Sequence, residues 1–75
     1  MSQVDRVQDY MKTHGSITQA EAIEALGCYR LGARIADLKS RGVAVDRMME
    51  EGQNRFGERT RYARYFLGKR SEANG

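Results

Sequence analysis

One amphipathic stretch, residues 29–42, constrains the fold most. Leu31, Ile35 and Leu38 recur at i, i+4 and i+7, which places them on one narrow stripe of a helix. At about 100° per residue, the opposite face carries polar and small residues. That face is formed by Arg30, Ala33, Asp37, Ser40 and Arg41, with Arg34 at its edge. The sequence therefore predicts a helix that buries one side only.

Two interpretations fit the exposed face of this helix. Arginines, one carboxylate and small residues that permit close approach suit a groove lined with phosphates and base edges. An ordinary solvated helix with cations near the negative end of its dipole fits equally well. The segments before and after the helix have to decide between them.

Length and charge narrow the function classes. A chain of 75 residues makes one small domain, and such a domain buries only about 60 % of the surface of its unfolded chain. A deep enzymatic pocket is therefore not expected. Residues 1–27 carry two Lys or Arg against four acids, whereas residues 28–75 carry eleven against six. A basic second half favours a polyanionic partner such as nucleic acid.

The sequence offers no arrangement for catalysis, metal binding or a cofactor. Cys28 is the only cysteine and His14 the only histidine, so we expect a packing role for the first and a surface position for the second. We expect no enzyme activity, no metal and no cofactor. With no intramolecular disulfide possible and no signal peptide or membrane span apparent, the expected location is the cytoplasm, a reducing compartment, without membrane contact.

The first half of the chain predicts two helices and a short extended segment. Residues 3–13 have apolar positions at helical spacing, and Gly15 can end that helix. Residues 16–18 should be extended, with Ile17 pointing inward. Thr18 and Glu21 then fit a capping box that starts a second helix. The predicted buried stripe of the second helix is Ala22, Ile23 and Leu26, with Gly27 as its end.

The second and third helices are separated by a very short turn. Two helices joined by a tight turn that contains Gly are typical of the helix-turn-helix, whose second helix enters the major groove. A plain α-hairpin has the same pattern. The positive charge on the third helix favours the DNA-binding interpretation.

After Gly42 the apolar period changes from helical to alternating. Val43 and Val45 alternate with polar or small residues, as do residues 61–67, which predicts two strands of a hairpin. The connection at 50–59 is polar, contains Gly and is too long for a two-residue turn, so we interpret it as a flexible wing. The predicted domain is 1–67, followed by a disordered tail at 68–75.

Alternation in the second strand predicts which side chains face inward. Tyr65 and Leu67 should be in the core, while Tyr62 and Phe66 should be at least partly exposed. An exposed aromatic pair on a hairpin is a candidate homodimer contact.

The order helix, short strand, helix, helix, hairpin is that of the α+β winged helix-turn-helix. The chain resembles the small winged helix-turn-helix proteins of bacteriophages and prophages over residues 4–67. The matching residues are Gly15 to Thr18, Leu26-Gly27, Arg30-Leu31, Ala33-Arg34-Ile35, Leu38-Lys39, Gly42, Asn54-Arg55, Gly57, Tyr62 to Tyr65 and Leu67. Gly32 departs from the pattern, in which serine is common, and weakens the helix start.

The resemblance and the charge pattern together imply a protein that binds double-stranded DNA, as a transcription regulator or an excision-type architectural factor. Thr18 and Gln19 would contact phosphates. The candidate contacts from the third helix and its start are Tyr29, Arg30, Ala33, Arg34, Asp37, Ser40 and Arg41. Those from the wing are Asn54, Arg55, Arg59 and Arg61. The alternative is a phage protein that binds a host protein as an adaptor or inhibitor.

Overall fold

The computed structural model describes residues 1–68. The tail predicted at 68–75 therefore lies outside the described residues, apart from Gly68. The elements in chain order are α1 (Gln3–His14), β1 (Ser16–Thr18), α2 (Gln19–Leu26), α3 (Leu31–Ser40), β2 (Val45–Gln53) and β3 (Arg59–Leu67). This order confirms the predicted α+β architecture.

Local hydrogen bonds define the ends of α1 and α2. The Thr18 hydroxyl accepts from the Glu21 amide at 3.2 Å, and the Glu21 carboxylate accepts from the Thr18 amide at 3.1 Å, which confirms the predicted capping box. Ser2 and Asp5 form a second capping box at the start of α1, which the sequence reading missed. Gly15 and Gly27 end α1 and α2 at φ values of 90° and 64°, a left-handed conformation that favours glycine.

The three strands form one antiparallel sheet in the order β1-β3-β2. Ile17 of β1 pairs with Tyr65 of β3, and Val45 of β2 pairs with Leu67 at the other end of the register. The sheet closes one side of the helical layer. β3 is the central strand and pairs with both β1 and β2, so it joins the hairpin to the first half of the chain.

The core lies between the three helices and the inner face of the sheet. Its buried members are Val4, Val7, Met11, Ile17, Ala22, Cys28, Leu31, Ile35 and Leu38. The predicted burial of Ile23 is wrong, because its side chain is 38 % exposed. Ala22 and Leu26 face inward four residues apart, and Ile23 lies about 100° further round α2 than Ala22. The predicted packing role of Cys28 is confirmed, since it is fully buried.

The hairpin has longer strands and a shorter turn than the sequence predicted. Glu50 to Gln53 and Arg59 belong to β2 and β3, and the connection comprises only residues 54–58. Asn54 forms this turn: its Oδ1 accepts from the amides of Phe56 at 2.9 Å and Glu58 at 3.1 Å. Residues 50–53 continue the ladder between β2 and β3 without interruption. They can be polar because the strand extends past the core there, so neither of its faces has to be apolar.

The predicted register of β3 is confirmed. Tyr65 and Leu67 pack against the core, whereas Tyr62 and Phe66 alternate onto the other face and are partly exposed. The inward pair is half-buried rather than fully buried. The hairpin therefore covers the edge of the core, and its side chains do not lie at the centre of the core.

Candidate nucleic-acid interface

The packing of α3 fixes which of its residues face outward. Leu31, Ile35 and Leu38 are buried as the apolar stripe predicted. Opposite them, Ser40 is exposed and Ala33 is half-buried. α3 begins at Leu31, and Tyr29 lies in the turn before it, with its side chain exposed.

The side chain of Gln19 connects α2 to the start of α3. Its Nε2 donates to the Cys28 carbonyl at 2.7 Å, and its Oε1 accepts from the Leu31 amide at 2.9 Å. The Leu31 amide is one of the donors that an α-helix leaves unpaired at its start. Gln19 therefore acts in the fold as a brace that fixes the angle of the helix-turn-helix.

The two predicted phosphate contacts at the start of α2 are both occupied within the domain. Gln19 makes the two hydrogen bonds just described. Thr18 is 4 % exposed, and its hydroxyl accepts from the Glu21 amide. Both side chains therefore have a structural role in the domain, and their contacts with phosphates stay a prediction.

We expect Gln19→Ala to lower the free energy of unfolding by roughly 1–3 kcal/mol, because it leaves a half-buried carbonyl and the Leu31 amide without partners. Urea denaturation followed by circular dichroism measures the change. Gln8→Ala on α1 is the matched control, since Gln8 has no side-chain hydrogen bond to a described residue. Equal effects of the two substitutions would contradict the brace.

Arg34 and Arg41 lie on the flank of α3 that faces α1. They are seven residues apart and so share one side of the helix. Arg34 Nε lies 2.9 Å from Asp37 Oδ2 as an ion pair without aligned hydrogen-bond geometry, and Nη1 donates to Gln3 Oε1 at 3.3 Å. Arg41 Nη1 donates to Asp5 Oδ1 at 2.7 Å. Arg41 is exposed, as predicted, and through this bond it also connects α3 to α1.

The Arg41 guanidinium favours the charged form of the Asp5 carboxyl group. Its hydrogen bond, with smaller contributions from Ser2, lowers the pKa of Asp5 from 3.8 to about 2. A lowered pKa means that this contact stabilises the fold above pH 3.8, and that the stabilisation is lost as the pH falls through about 2.

We expect Arg41→Gln to return the pKa of Asp5 toward 3.8, measured by NMR titration of the carboxyl carbon. Arg34→Gln is the control and should leave that titration unchanged.

On its other flank, α3 forms a groove with β2. Gly32, Ala36 and Lys39 line the helix side of the groove, and Arg47 and Tyr65 line the sheet side. The sequence reading did not select Lys39 or Arg47. Alternation along β2 places Arg47 on the same face as Val45. This pattern in the sequence could have identified Arg47 as a candidate site residue.

The hairpin carries further arginines on the face that continues from this groove. Arg59 pairs with Gln53 and Arg61 pairs with Glu51, and both alternate onto the same face as Tyr65. Arg55 is exposed in the turn. Asn54 forms the turn through its own side chain, as described above, and its contact with DNA stays a prediction.

Arg64 on the opposite sheet face is held in a network of ion pairs. Its Nε donates to Glu50 at 2.9 Å, and its Nη1 lies 3.4 Å from Glu21 and 3.0 Å from the Ser16 hydroxyl. The hydrogen bond to Glu50 is the largest cause that raises the pKa of Arg64. This cation joins β1, α2, β2 and β3, and its charge is balanced inside the domain.

The remaining cations of residues 28–68 form no ion pair with another described residue. They are Arg30, Lys39, Arg47, Arg55, Arg59 and Arg61, and all of them are exposed. Arg30 is the N-cap residue of α3, with no side-chain capping bond. We call this set, which lies along α3 and the hairpin, the exposed cation set.

Comparisons with known proteins identify the fold family. A family model described as a winged helix-turn-helix domain matches residues 2–70. Searches of curated proteins and of solved structures each gave no match. None of the helices in residues 1–68 is both long and apolar enough to cross a membrane. With the model matching nearly the whole sequence, the chain belongs to the winged helix-turn-helix domain family.

Proposed function

We propose that the chain is a sequence-specific double-stranded DNA-binding domain without enzyme activity. In the cell it acts as a phage or prophage transcription regulator, or as an excision-type architectural factor, in the cytoplasm of a bacterial host. The winged helix-turn-helix match suggests DNA binding in general. The regulatory role and the phage context are proposed from the resemblance of the sequence to the small phage proteins.

The exposed cation set is the observation that carries the proposal. Arg34, Arg41 and Arg64 have carboxylate partners in the domain, whereas the exposed set has none among residues 1–68. Cations without intramolecular partners remain available for phosphates, and their neutralisation releases counterions from DNA. Members of the set lie at the start of α3, on α3 and on the hairpin, and the fold holds α3 and the hairpin beside each other at the groove lined by Lys39 and Arg47.

The two elements would have different tasks. Small side chains at Gly32, Ala33 and Ala36 let the backbone of α3 approach base edges closely, and Arg30 and Ser40 supply hydrogen-bonding groups at its two ends. Lys39 and the arginines toward the hairpin tip, Arg55, Arg59 and Arg61, would contact phosphates, which fixes the orientation of the domain but carries no sequence information. Sequence preference is therefore expected from α3 and affinity from both.

Fluorescence anisotropy with labelled duplexes at low salt tests the proposal. We expect the wild type to bind duplex DNA and Lys39→Ala to bind it more weakly. Lys12→Ala on α1 is the matched control, because Lys12 is exposed outside the exposed cation set and loses the same charge. Absence of binding to every duplex in a random-sequence pool at low salt would overturn the proposal.

A second candidate function is binding to a host protein as an adaptor or inhibitor. Two exposed aromatic side chains favour it: Tyr29 in the turn before α3 is 74 % exposed, and Phe56 at the tip of the hairpin is 78 % exposed. Aromatic side chains that the fold does not bury are common anchors in protein interfaces. The same anisotropy experiment separates the candidates, since a protein-binding domain has no reason to bind duplexes with a steep salt dependence.

A further inference from the structure

β2 is an edge strand with a free side. The sheet order is β1-β3-β2, so β3 covers one side of β2, and no strand of residues 1–68 covers the other. The strand is long for an edge, with nine residues from Val45 to Gln53. Exposed edges of this kind are templates for pairing with another chain.

The ladder between β2 and β3 fixes which backbone groups point to the free side. At its two ends, the Gly68 amide donates to the Ala44 carbonyl at 2.7 Å, and the Asn54 amide donates to the Glu58 carbonyl at 3.0 Å. Because hydrogen-bonded pairs alternate along an antiparallel ladder, the even-numbered residues of β2 bond to β3. The odd-numbered residues direct their amides and carbonyls to the free side. They are Val45, Arg47, Met49, Glu51 and Gln53.

A second copy of β2 can pair antiparallel in any register that sets odd residues against odd residues. Registers centred on Arg47 or on Glu51 set like charges opposite each other. Registers centred on Met48 or on Glu50 set each of the two charges opposite an uncharged residue. Only the register centred on Met49 sets Arg47 opposite Glu51 of the second copy, and Glu51 opposite its Arg47. In that register all five outward residues find a partner.

We propose that the chain forms a symmetric homodimer through β2, paired antiparallel about Met49. Two copies of the three-stranded sheet then become one sheet of six strands, with the α3 helices of both copies on the same side of it. Met49, which is 46 % exposed, meets its own counterpart at the two-fold axis. Charges on an edge strand ordinarily prevent such pairing. In the register centred on Met49, however, Arg47 and Glu51 of the two copies form two attractive pairs.

Sedimentation equilibrium on charge-reversal variants tests the dimer. We expect the wild type to dimerise, and Arg47→Glu and Glu51→Arg each to weaken self-association by roughly tenfold or more, since each sets two like-charge pairs across the axis. An equimolar mixture of the two variants should regain the association, because one chain then carries both acids and the other both bases. Circular dichroism confirms that each variant is folded.

Two further variants make the result specific to the edge. Met49→Pro removes an amide that points away from β3, so it should abolish the dimer while keeping the hairpin ladder. Glu24→Arg, an exposed reversal on α2, is the control and should associate like the wild type. A wild type that stays monomeric at its highest soluble concentration would overturn the proposal. Dimers that survive Arg47→Glu unchanged would also overturn it, and would favour an aromatic contact through Tyr62 and Phe66.

Discussion

Alanine substitutions on the hairpin and at the start of α3 are expected to weaken DNA binding in two distinguishable ways. Under the proposed function Arg55 and Arg59 each contact a phosphate, so Arg55→Ala and Arg59→Ala should weaken binding to all duplexes about equally. The slope of log K against log salt should become less steep by about 0.9 for each contact removed. Arg30→Ala should instead cost roughly 1–3 kcal/mol on the preferred site and blur its sequence preference, because base-edge contacts carry that information.

A selected duplex and a scrambled duplex, titrated across salt concentrations, measure both effects. Arg6→Ala on α1 is the matched control, since Arg6 is exposed and outside the exposed cation set. If Arg30→Ala and Arg55→Ala reduce affinity for both duplexes to the same extent, α3 does not read bases. A salt slope unchanged by Arg59→Ala would remove that arginine from the phosphate contacts.

The structure changes what is expected of Arg34→Ala in the same experiment. The sequence pattern placed Arg34 at the edge of a base-reading face, but its guanidinium contacts Asp37 and Gln3. Its removal should therefore lower the free energy of unfolding and leave sequence preference nearly unchanged. A loss of preference as large as that from Arg30→Ala would show that Arg34 leaves these partners when DNA binds.

Elements defined by local chemistry could be predicted from the sequence. The capping box of Thr18 and Glu21, the left-handed stops at Gly15 and Gly27, and the stripe of α3 all depend on residues within one or two turns of each other. The inward side of β3 follows from alternation for the same reason. Each of these features can be read without knowing how the elements pack.

The partners of polar side chains could not be predicted, because they depend on contacts between distant segments. Arg41 and Asp5 are 36 residues apart in sequence, and Arg34 and Gln3 are 31 apart. Whether these arginines contact a neighbouring helix depends on which flank of α3 faces α1. The apolar stripe does not specify that flank. Gln19 is similar, since only the packed turn brings the Cys28 carbonyl and the Leu31 amide to its amide group.

The hairpin illustrates a different limit. Polarity at 50–59 indicated a loop, yet half of those residues are in strands, and Asn54 and Gly57 confine the turn to five residues, 54–58. Hydrophobic alternation detects strands that have a buried face. Beyond the core the hairpin has none, so its ladder and turn chemistry define it instead.

Ile17 and Ile23 provide a matched test of the core, with a large expected difference. Ile17 is fully buried in β1, where it pairs with Tyr65 of β3, whereas Ile23 is 38 % exposed on α2. We expect Ile17→Ala to lower the free energy of unfolding by about 2–5 kcal/mol, through lost burial and the cavity that remains. Domains of this size have total stabilities near the low end of about 5–15 kcal/mol. From a starting value of about 5 kcal/mol, Ile17→Ala would leave about 0–3 kcal/mol, so the unfolded fraction at 25 °C should rise by about thirtyfold or more.

The same substitution at Ile23 should cost about 1 kcal/mol or less, because its side chain already contacts water and leaves no cavity. Urea denaturation of both variants and the wild type, followed by circular dichroism, measures the difference. Both substitutions remove the same atoms, but alanine favours the helix at residue 23 and disfavours the strand at residue 17, so propensity adds up to about 1 kcal/mol to the difference and burial accounts for the rest. Similar losses at the two sites would mean that Ile23 is covered in solution, which is the result expected if a partner binds the exposed face of α2.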